Sequence, residues 1–242
     1  AVLYLPEPPM SFQPMHDFRR LPNAGGGSFS PELSYEMRLA HQRRQLALDL
    51  LNDDGERPPH FDLKATLGGT AEKAGKAIRD ALELTYNLQT SWRDTRVAFH
   101  GWRSRIEDLG VLVFQASRVD SAEASGFAYY ADDLPFIVVN RKDVWGRRTF
   151  SLLHELAHLM LHKSGVSDFD ASGPRSPSDE QVEIFCNQVA AAALMPKEMF
   201  LSEDLVVGHP EGDPDWSEDT IAALAKHYSV TRESVVCRLL TF

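Results

Sequence analysis

The chain has 242 residues, 43% hydrophobic and 25% charged, which is the composition of an ordinary globular protein with material for one large or two small domains. Its formal net charge of −10 argues against a broad phosphate-binding surface. Only two cysteines, Cys186 and Cys237, and no run near the roughly 18 apolar residues of a membrane span point away from a disulfide scaffold or a membrane protein and toward the cytoplasm. Both thiols are expected to be buried and inert. The chain opens on Ala1 rather than Met, as a fragment would.

Residues 1–30, with Pro6, Pro8, Pro9, Pro14, Pro22 and Gly25–Gly27, read as an extended arm or linker. Ser30 and Pro31 then have the form of an N-cap and first turn, opening a helix on which Leu33, Met37, Leu46 and Leu50 recur at helical spacing. Residues 52–59 are a turn-rich break. A second helix follows Thr70, and a third over 91–110 closes at Gly110. These helices define a helical N-terminal region, 31–100. Three short β-type runs come next, 111–115, 126–131 and 136–140. From Thr149 the pattern is helical again, apart from the polar loop 163–179. The class is α+β, with a small sheet leading directly into a helix that carries histidines.

That helix contains "FSLLHELAHLMLH" (150–162). Residues i and i+4 share a helix face one turn apart, so His154 and His158 can present imidazole nitrogens to one ion. Glu155 lies beside such a site, where a carboxylate can take a proton from water. This is the HExxH arrangement of zinc peptidases, with Mn2+ or another divalent ion as a substitute for Zn2+. His162 lies two turns from His154, about 12 Å along the axis, so the two cannot ligate one ion. It is expected at the surface near the helix end.

A catalytic zinc keeps three protein ligands and one open position. The third ligand is sought in "SPSDEQVEIFCNQVAAAALMP" (176–196), where Ser178 is expected to cap a helix, Glu180 to complement its dipole and Pro196 to stop it. Glu183 shares a face with Asn187, Ala190, Ala191 and Leu194, so it points inward, where a carboxylate needs a partner or a metal. Asn187, one turn on, is placed to accept Nδ1–H of a ligand histidine. An oxyanion beside the metal needs a stabilising group. Tyr130, His209 and His227 have suitable chemistry, and Tyr130 is taken as the candidate. Arg147 and Arg148 are expected in a solvated turn. The run "FIVVN" (136–140) is either an exposed sheet edge that could pair with an extended peptide or a buried strand. The loop 163–179 is expected to border the cleft as a mobile flap.

The segment "RRTFSLLHELAHLMLH" followed by "EIFCNQVAAAALMP" resembles the ImmA/IrrE-type metallopeptidases. In that family HExxH is followed by a helix of the form E-x-x-A-N-x-F-A-A-x-L-L-M-P. Here Cys186, Val189 and Ala193 depart from it without touching a presumed ligand. The stretch "SGFAYYADDLPFIVVN" is also similar to the family's strand pair. The resemblance implies a zincin-like, gluzincin-type core over 101–200, with His154, His158 and Glu183 on zinc and Glu155 as general base and then proton donor. It further implies that the substrate is a helix-turn-helix transcriptional repressor, cleaved to release stress, phage or mobile-element genes. The opening residues resemble the connector after an N-terminal helix-turn-helix domain that longer members carry, so DNA enters only indirectly or through that domain.

A competing function comes from residues 201–242. Ile221, Leu224, Ala225, Val230, Val235, Val236 and Leu239 have helix-turn-helix spacing, with Thr231 as a cap and Arg232 and Arg238 on the second helix. The acidic neighbours Glu211, Asp213, Asp215, Glu218 and Asp219 disfavour phosphate contact, so a helical pair packed on the peptidase is expected. The alternative is a DNA-associated transcriptional regulator, or antitoxin-like protein, with an inactive or structural metal site.

Overall fold

The computed structural model describes residues 16–17, 29–167, 176–210 and 215–242. Most of the arm, the middle of the loop at 163–179, and Glu211 and Asp213 lie outside the described residues. The chain folds as α+β. Its elements are β1 (His16–Asp17), α1 (Pro31–Asp53), α2 (Ala71–Ala81), α3 (Tyr86–Thr90), α4 (Thr95–Asp108), β2 (Leu112–Ala116), β3 (Gly126–Tyr129), β4 (Phe136–Asn140), α5 (Trp145–Met160), β5 (Gly165–Ser167), α6 (Pro177–Leu194), α7 (Lys197–Leu201), α8 (Asp204–Val207), α9 (Glu218–Tyr228) and α10 (Arg232–Leu239).

The strands form one mixed sheet in the order β1-β5-β3-β4-β2. β2 runs parallel to β4, β3 antiparallel to both β4 and β5, and β1 parallel to β5. All five residues of β4 are buried. It pairs on both sides, so it is an interior strand and offers no edge to a peptide. The continuous apolar run of "FIVVN" is what a strand covered on both faces requires.

One face of the sheet is covered by α1, whose Leu33, Met37 and Ala40 join Phe127, Phe136, Val138 and Val166 in a hydrophobic cluster. Ser30 caps that helix, accepting from Leu33 N at 3.0 Å, and its own hydroxyl donates to Glu123 at 2.6 Å. The other face meets α4, α5 and α6 in a second cluster. It takes Phe61 and Ile78, Trp102 and Leu153, and Ile221 and Val235 alike, so the regions at either end of the peptidase segment share its core. Helices α2 and α6 approach closely because Gly75 has no side chain: a Cβ there would meet Ala192 Cβ at 2.7 Å.

Helix α6 is capped by Ser176, not Ser178; the hydroxyl of Ser176 accepts from Asp179 N at 3.1 Å, with Pro177 at the first helical position. Its far end lacks intrahelical partners for the last carbonyls, and three distant side chains supply them. Arg79 Nη1 donates to Ala193 O at 2.9 Å, Gln89 Nε2 to Leu194 O at 2.8 Å and Arg238 Nε to Met195 O at 2.9 Å.

The C-terminal pair α9–α10 turns at Ser229, in the left-handed region, and Thr231 caps α10 as expected. Its turn packs on the start of α5, where a Cβ at Gly146 would lie 3.2 Å from Val230 and Thr231. Arg238 is 3% exposed and pairs with Glu72 at 2.7 Å. A residue held this way does not reach into a DNA groove. Of the cysteines, Cys186 is buried as expected, whereas Cys237 is exposed, on the outer face of α10. No helix among the described residues is long and apolar enough to cross a membrane.

Candidate metal centre

Helix α5 begins at Trp145, four residues before the expected start, and every residue from Ser151 to Met160 is buried. Arg147 and Arg148 therefore sit in its first turn, not in a solvated loop. The Arg147 Nη2 donates to Ser125 Oγ at 3.4 Å and Arg148 Nε to Asp143 O at 2.7 Å. A helix buried all round has no water to offer an imidazole, so His154 and His158 must be satisfied by protein or by a ligand.

The structure brings the two histidines to Glu183 of α6. The Nε2 atoms of His154 and His158 lie 3.0 Å apart. Glu183 approaches them at 3.4 Å (Oε2 to His154 Nε2) and 3.1 Å (Oε1 to His158 Nε2). These residues are 0%, 1% and 2% exposed, and they form the one group of metal-ligating side chains among the described residues. Ligands about 2.05 Å from a tetrahedral ion stand about 3.3 Å from one another. The imidazole pair is near that spacing, and each imidazole meets a different oxygen of Glu183, with one donor atom from each residue lying within 4.8 Å of the others, so the donor set fits a small divalent ion.

The electrostatics agree. Burial holds His158 below the ordinary imidazole pKa, with Glu183 opposing and His154 adding to the shift, so its ring is neutral and keeps a lone pair to donate. Burial pushes the Glu183 carboxyl up, but the two imidazoles beside it overcome this and hold it well below the usual carboxylate range. The Cys186 thiol is raised well above its usual value by burial, then by Glu183 and Glu155. It stays protonated and is no competitor for the ion.

Glu155 is fully buried next to this triangle. Its place depends on Gly126 of β3, where a Cβ would meet Glu155 Oε1 at 3.0 Å and Val138 O at 2.9 Å. The motif reading missed Gly126. Gly126 stands first in its β-type run, and the close approach comes from the packing of β3 on α5.

The remaining candidates lie apart. His162 is exposed just beyond α5, in the left-handed region at φ 55°, and stacks on Tyr130 at 4.3 Å. The Tyr130 hydroxyl donates to Asp132 at 2.6 Å, an interaction that raises its pKa to about 12, and among the described residues no hydrogen bond ties it to the triad. His227 Nε2 meets Tyr86 Oη at 2.6 Å, and His209 stacks on Trp216. Asn187 is half-buried and its Oδ1 accepts no hydrogen bond among the described residues, so the structure does not join it to either imidazole.

A peptidase family model described as the IrrE N-terminal-like domain matches residues 106–240, more than half of the chain and the whole of the site. No curated protein matches the sequence.

Proposed function

Since the chain belongs to the IrrE N-terminal-like family of metallopeptidases, we propose that it is a zinc-dependent endopeptidase that cuts a helix-turn-helix transcriptional repressor in the cytoplasm. The observation that carries the chemistry is the buried His154–His158–Glu183 triangle with Glu155 beside it. His154, His158 and Glu183 would hold a divalent ion, which when bound would supply a Lewis acid and lower the pKa of water at the site. The Glu155 carboxylate takes a proton from that water and returns it to the leaving amine nitrogen. Burial of the whole group keeps bulk water from the carboxylate and strengthens its interactions.

The substrate class rests on the family resemblance, supported by charge. A chain of net charge −10 suits a basic DNA-binding partner better than DNA itself. The alternative, a DNA-associated regulator, loses its main support because Arg238 is buried and Arg232 stands 3.6 Å from Glu218.

The test compares two carboxamides against a repressor encoded beside this chain. Glu155→Gln should keep its metal by elemental analysis and lose about 10²–10⁴-fold in cleavage rate. Glu183→Gln should lose metal, since an amide oxygen is a poorer zinc ligand. Cleavage by Glu155→Gln at the wild-type rate would overturn the mechanism. Tight binding of the repressor by the wild type without any cutting would restore the regulator reading.

A further inference from the structure

A peptide cut at this centre must lie extended beside Glu155, and the strand beside Glu155 is β3. Gly126 at one end of β3 abuts the Glu155 side chain. Tyr130, the residue following β3, stacks on His162 just past the end of α5. The strand thus runs along the histidine helix from the base to the helix terminus. One edge of β3 is paired with β4. An extended peptide could join only the other edge by backbone hydrogen bonds. That edge carries β5, with Gly126 opposite Ser167, Phe127 opposite Val166 and Ala128 opposite Gly165.

We infer that β5 is a strap formed by the chain itself in the position of an extended substrate, and that cleavage requires it to leave the edge of β3. The inference rests on the peptidase reading above and adds a regulatory step to the same site. The connection explains how the strap arrives there. The chain reverses at His162, whose left-handed backbone ends the helix. Tyr130 N donates to Ser164 Oγ at 2.7 Å, and β5 then runs back antiparallel to β3 until its last residue lies opposite Gly126.

The fastening is slight. β5 has three residues, its first is a glycine, and Val166 is the side chain it places in the core, beside Phe127, Leu33 and Met37. Among the described residues, its outer edge is joined by the two residues of β1. β4, by contrast, has five buried residues paired on both sides. A three-residue strand near a sheet edge can therefore open without the rest of the sheet.

The test uses the zinc-loaded full chain and two hydroxamates. Acetohydroxamate reaches only the ion, whereas a pentapeptide hydroxamate of alanine and leucine also needs the strand edge. Val166→Ala weakens the strap, so it should bind the pentapeptide about tenfold more tightly than wild type and acetohydroxamate equally. In wild type, the pentapeptide should speed amide exchange at 165–167 while β4 stays protected. Equal pentapeptide affinity in both proteins, or a strap that stays protected with the pentapeptide bound, would overturn the inference. Failure of acetohydroxamate to bind a chain with stoichiometric zinc would instead sink the peptidase reading, and the strap with it.

Discussion

A methyl group at position 126 would sit 3.0 Å from Glu155 Oε1 and 2.9 Å from the Val138 carbonyl. Since that carbonyl belongs to the interior strand, the carboxyl is what would yield. Gly126→Ala should therefore keep the metal, because the three atoms nearest the new methyl belong to Val138 and Glu155 and not to a candidate ligand, yet lose cleavage by about 10²-fold, the cost of a base misplaced by an ångström. Metal stoichiometry and kcat/KM on the same preparation check this. Unimpaired cleavage would mean that Glu155 is not held where the reaction needs it. At this scale the meeting of the three candidate ligands was legible in the sequence. His154 and His158 follow from i, i+4 geometry, and Glu183 from its place at the head of an alanine stripe. Gly126 was not assigned a role, because which strand docks on which helix is decided by tertiary packing rather than by local pattern.

Arg238 shows how an element can be read correctly in form and still change its meaning. The spacing of α9 and α10 gives two helices with Thr231 as the cap, and the structure agrees. What spacing cannot show is which face the pair turns inward. Arg238 faces the core, bonding Met195 O and Glu72. Truncating it leaves a buried carbonyl unsatisfied and removes a packed aliphatic stem, so Arg238→Ala should cost about 2–3 kcal/mol in urea unfolding. Arg232→Ala, at a side chain 62% exposed, should change stability by less than about 0.5 kcal/mol. A DNA-reading pair would instead show both variants losing affinity in a gel shift with stability unchanged. Strand β5 escaped the sequence reading altogether: three residues carry no periodicity, and the pairing that makes them a strand is long-range.

For the whole molecule, the candidate ligands come from two helices, so an ion bound there would tie α5 to α6 and stabilise the folded state over the unfolded one. At a hundred times its Kd the ion should add about 2.7 kcal/mol, which for a chain of this length raises Tm by about 5–10 °C. Chelation should reverse that shift in wild type and do nothing in His158→Ala. A wild-type Tm indifferent to chelator would show that the triangle holds no metal. One transition is expected, because residues before 100 and after 200 share one hydrophobic cluster with the peptidase segment. Composition established the class of molecule and pattern established the α+β order. The common core was not legible, since segments far apart in sequence meet only through folding.

The three side chains that receive the last carbonyls of α6 make that helix a rod clamped at its root, with the Glu183 carboxylate carried out along it. Ten residues separate Glu183 from Ala193, about 15 Å of helix. Over that lever arm a tilt of about 1° moves the carboxylate by roughly 0.3 Å, already more than the ~0.2 Å within which metal–ligand distances hold. Angular stiffness at the far end therefore sets how closely the Glu183 carboxylate is held to His154 and His158. Arg79, Gln89 and Arg238 thus fix the direction of that lever, although none of them is among the three candidate ligands.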